Sequence, residues 1–294
     1  MTAVNLVKWI SPLAGLTVFT VMLSLGLLLE REQIVAALRQ RVLLAAVVFA
    51  VLVPVPALAV IVVKFFGLRG AVAGGIVLMA ISPGAPIALR RAIQAGAGLG
   101  FAPTLHLAIV ILAVVTVPLS VMLMSWIFSV RFAISPLDVA RQVFFAQLLP
   151  LGIGAALRAW RPAMTARIEP RLAALSNVML VALALLCLIA LGSRFAAIGW
   201  APFIAGVGLT LCALTAGTLF AGRDASVKPA AAVAAAMRNP GLALLIATRN
   251  SAPPDVTAAV FEYALGLTIV IIVFVVWRKR SVLKAVPGPA DGAL

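Results

Sequence analysis

Two proline–glycine sequences interrupt long hydrophobic runs: Ser82-Pro83-Gly84-Ala85-Pro86 and Arg238-Asn239-Pro240-Gly241. Proline has no main-chain N–H and glycine no side chain, so each stretch predicts a helix that unwinds and then resumes. In hydrocarbon, unwound backbone persists only where protein or a water-filled cavity satisfies its polar groups. The chemistry available at such a place is ligand binding rather than bond breaking. Half-helix N-termini carry partial positive charge and freed carbonyls partial negative charge, which suits anionic groups and small cations. Ser82, Pro83, Gly84, Arg238, Asn239, Pro240 and Gly241 are therefore the expected substrate-binding residues. Arg238 stands roughly 10 residues, or about 15 Å at helical rise, from either end of its apolar run. That is too far to reach an interface, so its guanidinium must face a cavity or bridge the broken segment.

Further polar residues lie in apolar runs. Glu262 is placed to carry a proton, to pair with Arg238 or Arg249, or simply to reach the interface. His106, the only histidine, more commonly packs than works in such a setting. Gln147 and Asn177, with Ser176, are candidate polar wall residues. Arg90 and Arg91 follow the first break by about 10 Å and are expected at lipid phosphates or a vestibule. No nucleophile–base pair, nucleotide-binding glycine loop or metal-ligand spacing is visible, so neither an enzyme nor a cofactor or metal site is expected. Cys187 and Cys212 read as packing residues.

The elements that position these residues follow from composition. Of 294 residues 64% are hydrophobic and 11% charged, against about a quarter charged in soluble domains. Nine membrane spans are expected, over residues 9–29, 42–66, 70–93, 101–128, 137–157, 172–192, 197–221, 229–249 and 256–277, followed by a disordered tail, 278–294. The first reads as a retained span rather than a signal peptide, since Glu30-Arg31-Glu32 follows it instead of a small-residue cleavage site. The net charge of +15 is spread over the gaps between spans, which favours contact with membrane lipids over nucleic acid. With the N-terminus outside and the tail cytoplasmic, fifteen of the 23 Lys and Arg residues fall on the inner side and seven on the outer. The third and eighth spans then enter from opposite sides, as in an inverted repeat.

Several stretches resemble the bile acid:sodium symporter family. They are Leu27-Leu28-Leu29 running into the charged segment 30–41, Val53-Pro54, Ser82-Pro83-Gly84, Val117-Pro118, Leu148-Leu149-Pro150-Leu151-Gly152 and Met237-Arg238-Asn239-Pro240-Gly241-Leu242-Ala243-Leu244. Coverage runs over about residues 10–277. The resemblance implies an all-α transporter with nine helices, two of them broken and crossing. It implies a panel of residues 9–66 and 137–192 and a core of residues 70–128 and 197–277. The family's sodium ligands are largely replaced. Ala88-Leu89 stand where the family has a Ser-Asn pair, His106 replaces a hydroxyl, Ala234 a glutamate, Arg238 a glutamine and, approximately, Phe49 another glutamine.

These readings converge on a carrier of a small organic anion in a bacterial inner membrane, without the usual sodium sites. A proton, the anion gradient or a residual cation would drive it. A non-transporting sensor or scaffold is the alternative class. Auxin-efflux-like and arsenite-efflux-like exporters share the architecture, but Ser82 stands where the arsenite proteins carry a cysteine.

Overall fold

The computed structural model describes residues 6–98, 100–127 and 135–285. Every regular element among them is helical: α1 (Ile10–Gly26), α2 (Arg31–Leu38), α3 (Arg41–Leu52), α4 (Pro54–Phe65), α5 (Gly70–Ala80), α6 (Ala88–Gln94), α7 (Phe101–Ile127), α8 (Pro136–Val143), a π-helical turn (Phe144–Leu148), α9 (Leu149–Trp160), α10 (Pro162–Ile198), α11 (Ala201–Phe220), α12 (Lys228–Ala236), α13 (Pro240–Arg249) and α14 (Pro254–Ala285). Seven segments are long and apolar enough to cross a bilayer, among them 41–65, 136–160 and 228–249. The other two expected spans are represented by shorter apolar helices, Ile10–Gly26 and Gly70–Ala80. The fold is that of an all-α polytopic membrane protein.

Proline sets most of the interruptions. Val53 separates α3 from α4 (φ −117°, ψ −64°), because Pro54 cannot continue the ladder and restricts the residue before it. The same residue type then starts α4, α8, α10 and α13, where a missing N–H costs nothing. Small residues set the closest helix contacts, as membrane packing favours. A Cβ on Gly26 would lie 2.3 Å from the Leu151 carbonyl, and one on Gly217 would lie 2.3 Å from that of Ala231. Backbones of α1 and α9, and of α11 and α12, therefore touch.

Two expectations are corrected. Helix α10 begins at Pro162 and ends at Ile198, well beyond the expected span 172–192. Its arginine-rich start lowers hydropathy but not helix propensity, since Arg, Ala and Met are good helix formers. The tail 278–294 is helical as far as Ala285; residues 286–294 lie outside the described residues. Helix α1 packs against α9, α10 and α13, whereas α3 and α4 pack against α11, and α3 also against α7 and α12.

Candidate functional site

The two broken segments meet. Helix α5 contacts α13, and α6 contacts α12. The first half of each segment therefore lies beside the second half of the other, an antiparallel crossing. The main-chain N–H of Asn239 donates to the carbonyl of Ser82 at 2.8 Å. Asn239 Nδ2 donates to the Gly84 carbonyl at 3.4 Å, and Asn239 Oδ1 accepts from the Leu242 N–H at 3.0 Å as the N-cap of α13. One residue thus caps its own half-helix and ties it to the other break. Ser82 has a more local part: its hydroxyl donates to the Leu78 carbonyl at 2.7 Å, closing the end of α5.

Gly84 adopts φ +75°, a conformation that side chains rarely tolerate. Open space is not the reason for its presence. A Cβ there would lie 3.1 Å from Val110 Cγ2 and 3.3 Å from Gln147 Oε1. Gln147 comes from the π-helical turn, where the backbone makes one extra residue of room just before Pro150. It is fully buried, and neither polar atom of its amide has a hydrogen-bond partner within the protein. The expected polar wall residue is thus beside the first break.

Arg238 is 1% exposed, and main-chain carbonyls hold its guanidinium. Its Nη2 donates to the carbonyls of Val51 (3.0 Å) and Ala235 (2.6 Å). Both carbonyls lie in the last turn of a helix. That of Val51 belongs to α3, which ends at Leu52 before Pro54. The N–H that would have closed onto Ala235, that of Asn239, turns to Ser82 instead. The guanidinium therefore sits at two helix C-termini, the negative ends of their dipoles. Its Nε and Nη1 make no hydrogen bond within the protein. Phe49, aligned by resemblance with a family glutamine, lies 51% exposed against Phe220; Val51, two residues on, makes the contact through its backbone.

The remaining candidates scatter. Glu262 pairs with neither Arg238 nor Arg249. It lies beside the main chain of Phe203 in the first turn of α11, and its Oε2 has no hydrogen-bond partner within the protein. His106 is buried on α7 with Nε2 unpartnered. Asn177 is exposed, beside a small recess that also takes in Ser24, Arg90 and Ser176. Arg90 does not face lipid phosphates: it pairs with Glu169 of α10 and donates to Ser24 of α1 at 3.2 Å. Cys187 is buried and Cys212 exposed.

Two cavities flank the crossing. The first, of about 300 Å³, is bounded by Thr17 and Val18 of α1, the stretches 85–87 and 237–241, and α10 and α14. The second, of about 620 Å³, is bounded by Gly15 and Phe19, Arg141 and Gln142, and Arg249 and Asn250. Both share α1 and α13 as walls. They are separated where those helices touch: a Cβ on Gly241 would lie 2.6 Å from Val18 Cγ2, and one on Gly15 would lie 3.4 Å from Leu245 Cδ1. Sequence reasoning missed this seam, since nothing in the residue order shows which helix covers Gly241.

Such an arrangement binds and releases; no nucleophile and base meet in it. Among the described residues no three His, Cys, Asp or Glu side chains converge as for a metal ion. Among curated proteins none matches the chain significantly. The family model of the sodium bile acid symporter family matches residues 15–198. That match covers more than half of a chain whose proline-broken helices cross as described, and the protein belongs to the sodium bile acid symporter family.

Proposed function

We propose that this membrane transporter moves a small organic anion by alternating access, and that Arg238 takes the place of a coupling cation. The observation that carries the reading is the guanidinium held between the Val51 and Ala235 carbonyls. Each helix C-terminus is worth roughly half a negative charge, so two of them about balance one cation. A symporter can fill such a place with a sodium ion. Here a side chain fills it permanently, and the usual side-chain ligands are replaced by Ala88, Leu89, His106 and Ala234. A cation that never leaves stabilises the crossing without coupling it to a gradient. Proton coupling or exchange along the anion gradient remains as the driving force.

The anion site is the 300 Å³ cavity. Both breaks line it, together with two arginines and no acidic side chain. Its volume is at the lower end of the range of about 300–1,000 Å³ for small-molecule sites. Helices α1 and α8–α10 form the panel, and the remaining spans form the core that rocks against it. The second cavity, with Arg141 and Arg249, is the outer vestibule of an N-out, C-in protein in a bacterial inner membrane. The separating contact of Val18 with Gly241 is the seal between the two.

Uptake of radiolabelled organic acids into proteoliposomes tests the reading, in sodium and in choline medium. Flux equal in both media and abolished by Arg238→Ala supports it. Strong sodium dependence refutes the cation role. Absence of flux for any acid, with ligand binding retained, points instead to a sensor derived from a carrier.

A further inference from the structure

Helices α10 and α14 pack against each other, and an ion pair and a ring stack join them at one end. There, Arg194 Nη1 and Asp255 Oδ1 are 3.6 Å apart, and Phe195 stacks on Phe261 with ring centroids 5.6 Å apart. Beyond that clamp the 300 Å³ cavity extends between the two helices. Several of its lining residues are also on the outer surface of the protein: Val181 is 60% exposed, Leu265 41% and Ile272 45%. Both helices are long apolar spans, so this surface faces acyl chains rather than water. The cavity is therefore open sideways.

Its chemistry is graded. Thr17 and Thr268 each line it, but each hydroxyl donates to its own helix, to Leu13 at 2.6 Å and to Ala264 at 2.7 Å. What they present to a ligand is largely apolar. Toward the end of α6 the wall includes Arg91, which donates to Gln94 at 3.0 Å and forms no ion pair with a carboxylate among the described residues. No acidic side chain lines the cavity to offset that charge. A ligand matching this grading has one negative head and a slender hydrocarbon body.

We infer that the slot between α10 and α14 is a lateral portal, and that the cavity takes a single-chain amphiphilic carboxylate from the bilayer, head toward Arg91 and tail between the two helices. The inference deepens the proposed function, since it rests on the same cavity being the anion site. It adds a route and a class of ligand. A bulky side chain in the slot then obstructs entry from lipid while leaving the wall of broken helices intact.

A long-chain fatty carboxylate with a terminal diazirine is the probe. It is added to vesicles containing the full-length protein, photolysed, and the labelled peptides are mapped by mass spectrometry. Labelling is expected to concentrate on residues 180–187 and 265–272. An unlabelled long-chain carboxylate should compete and its methyl ester should not. Ala184→Phe and Leu265→Phe should each lower the labelling several-fold, and Arg91→Gln should weaken competition. Even labelling over all lipid-facing helices, unaffected by competitor, overturns the inference. The proposed function fails separately. If a short, water-soluble carboxylate is transported equally by wild type and both phenylalanine variants, while the long-chain probe shows no preference for the slot, the portal is wrong and the carrier reading stands.

Discussion

Asn239 and Ser82 are joined main chain to main chain across the crossing, N–H to carbonyl at 2.8 Å. Neither group has a helical partner, because each belongs to a proline–glycine break. Each break thus satisfies part of the other's backbone, and either alone would leave polar groups stranded in an apolar interior. The Asn239 side chain adds the cap on Leu242 and the bond to Gly84.

Substitution at Asn239 separates these roles. Asn239→Asp keeps an oxygen to cap Leu242 but loses the donor to Gly84; Asn239→Ala loses both. Loss of an N-cap costs about 1 kcal/mol. The expected order of melting temperature is wild type, then Asp, then Ala, with flux impaired in both variants. Scanning fluorimetry beside vesicle flux reads the two effects. Equal melting temperatures for Asp and Ala would show that the cap is idle.

The breaks themselves were legible in the sequence because Pro83, Gly84, Pro240 and Gly241 act locally. The partners were not. That Arg238 meets the Val51 carbonyl depends on α3 lying across the end of α12, a tertiary contact with no local signature. Glu262 looked like a proton carrier because a lone carboxyl in an apolar run signals function. Its place next to the first turn of α11 required knowing that residue 203 lies beside it. Helix α10 was read short because hydropathy marks where lipid begins, not where a helix does.

Removing the Arg238 guanidinium while keeping bulk, as in Arg238→Met, leaves two buried carbonyls without donors. Each orphaned group costs about 1–3 kcal/mol. Arg238→Lys keeps the charge and can serve at least one carbonyl. Melting temperature is expected to fall strongly for Met and by less for Lys. Similar melting for wild type and Met would remove the guanidinium from the structural account.

Gly241 admits Val18 at the seam between the cavities. A Cβ there would stand 2.6 Å from Val18 Cγ2, too close without movement. Gly241→Ala is expected to slow flux and to expose Cys187 to water-soluble thiol reagents. Val18→Ala in the same chain should restore both. Failure of that second change to compensate would show that the obstruction lies elsewhere.

Arg90, Glu169 and Ser24 join α6 to α10 and α1. Arg90 is partly exposed, so screening keeps the contribution to folding stability small. The effect is expected on conformation instead. Glu169→Gln should alter thiol labelling of Cys187 more than melting temperature. Exchange of the charges, Arg90→Glu with Glu169→Arg, should return labelling toward wild type.

Glu262 lies beside Phe203, in the first turn of α11. If its contribution is structural alone, Glu262→Gln leaves the pH profile of flux unchanged and lowers stability. A flattened pH profile with full stability would assign Glu262 to proton coupling.

The resident-cation claim can be tested without knowing the substrate. A ligand that binds only the folded protein raises its melting temperature as its concentration rises. Purified protein is melted in increasing sodium chloride and, at matched ionic strength, choline chloride, for the wild type and for Arg238→Gln. The wild-type curves are expected to coincide, and a sodium-specific rise is expected only where the guanidinium has been removed. A sodium-specific rise in the wild type, as large as or larger than in the variant, would contradict the assignment of Arg238 as the cation of the crossing.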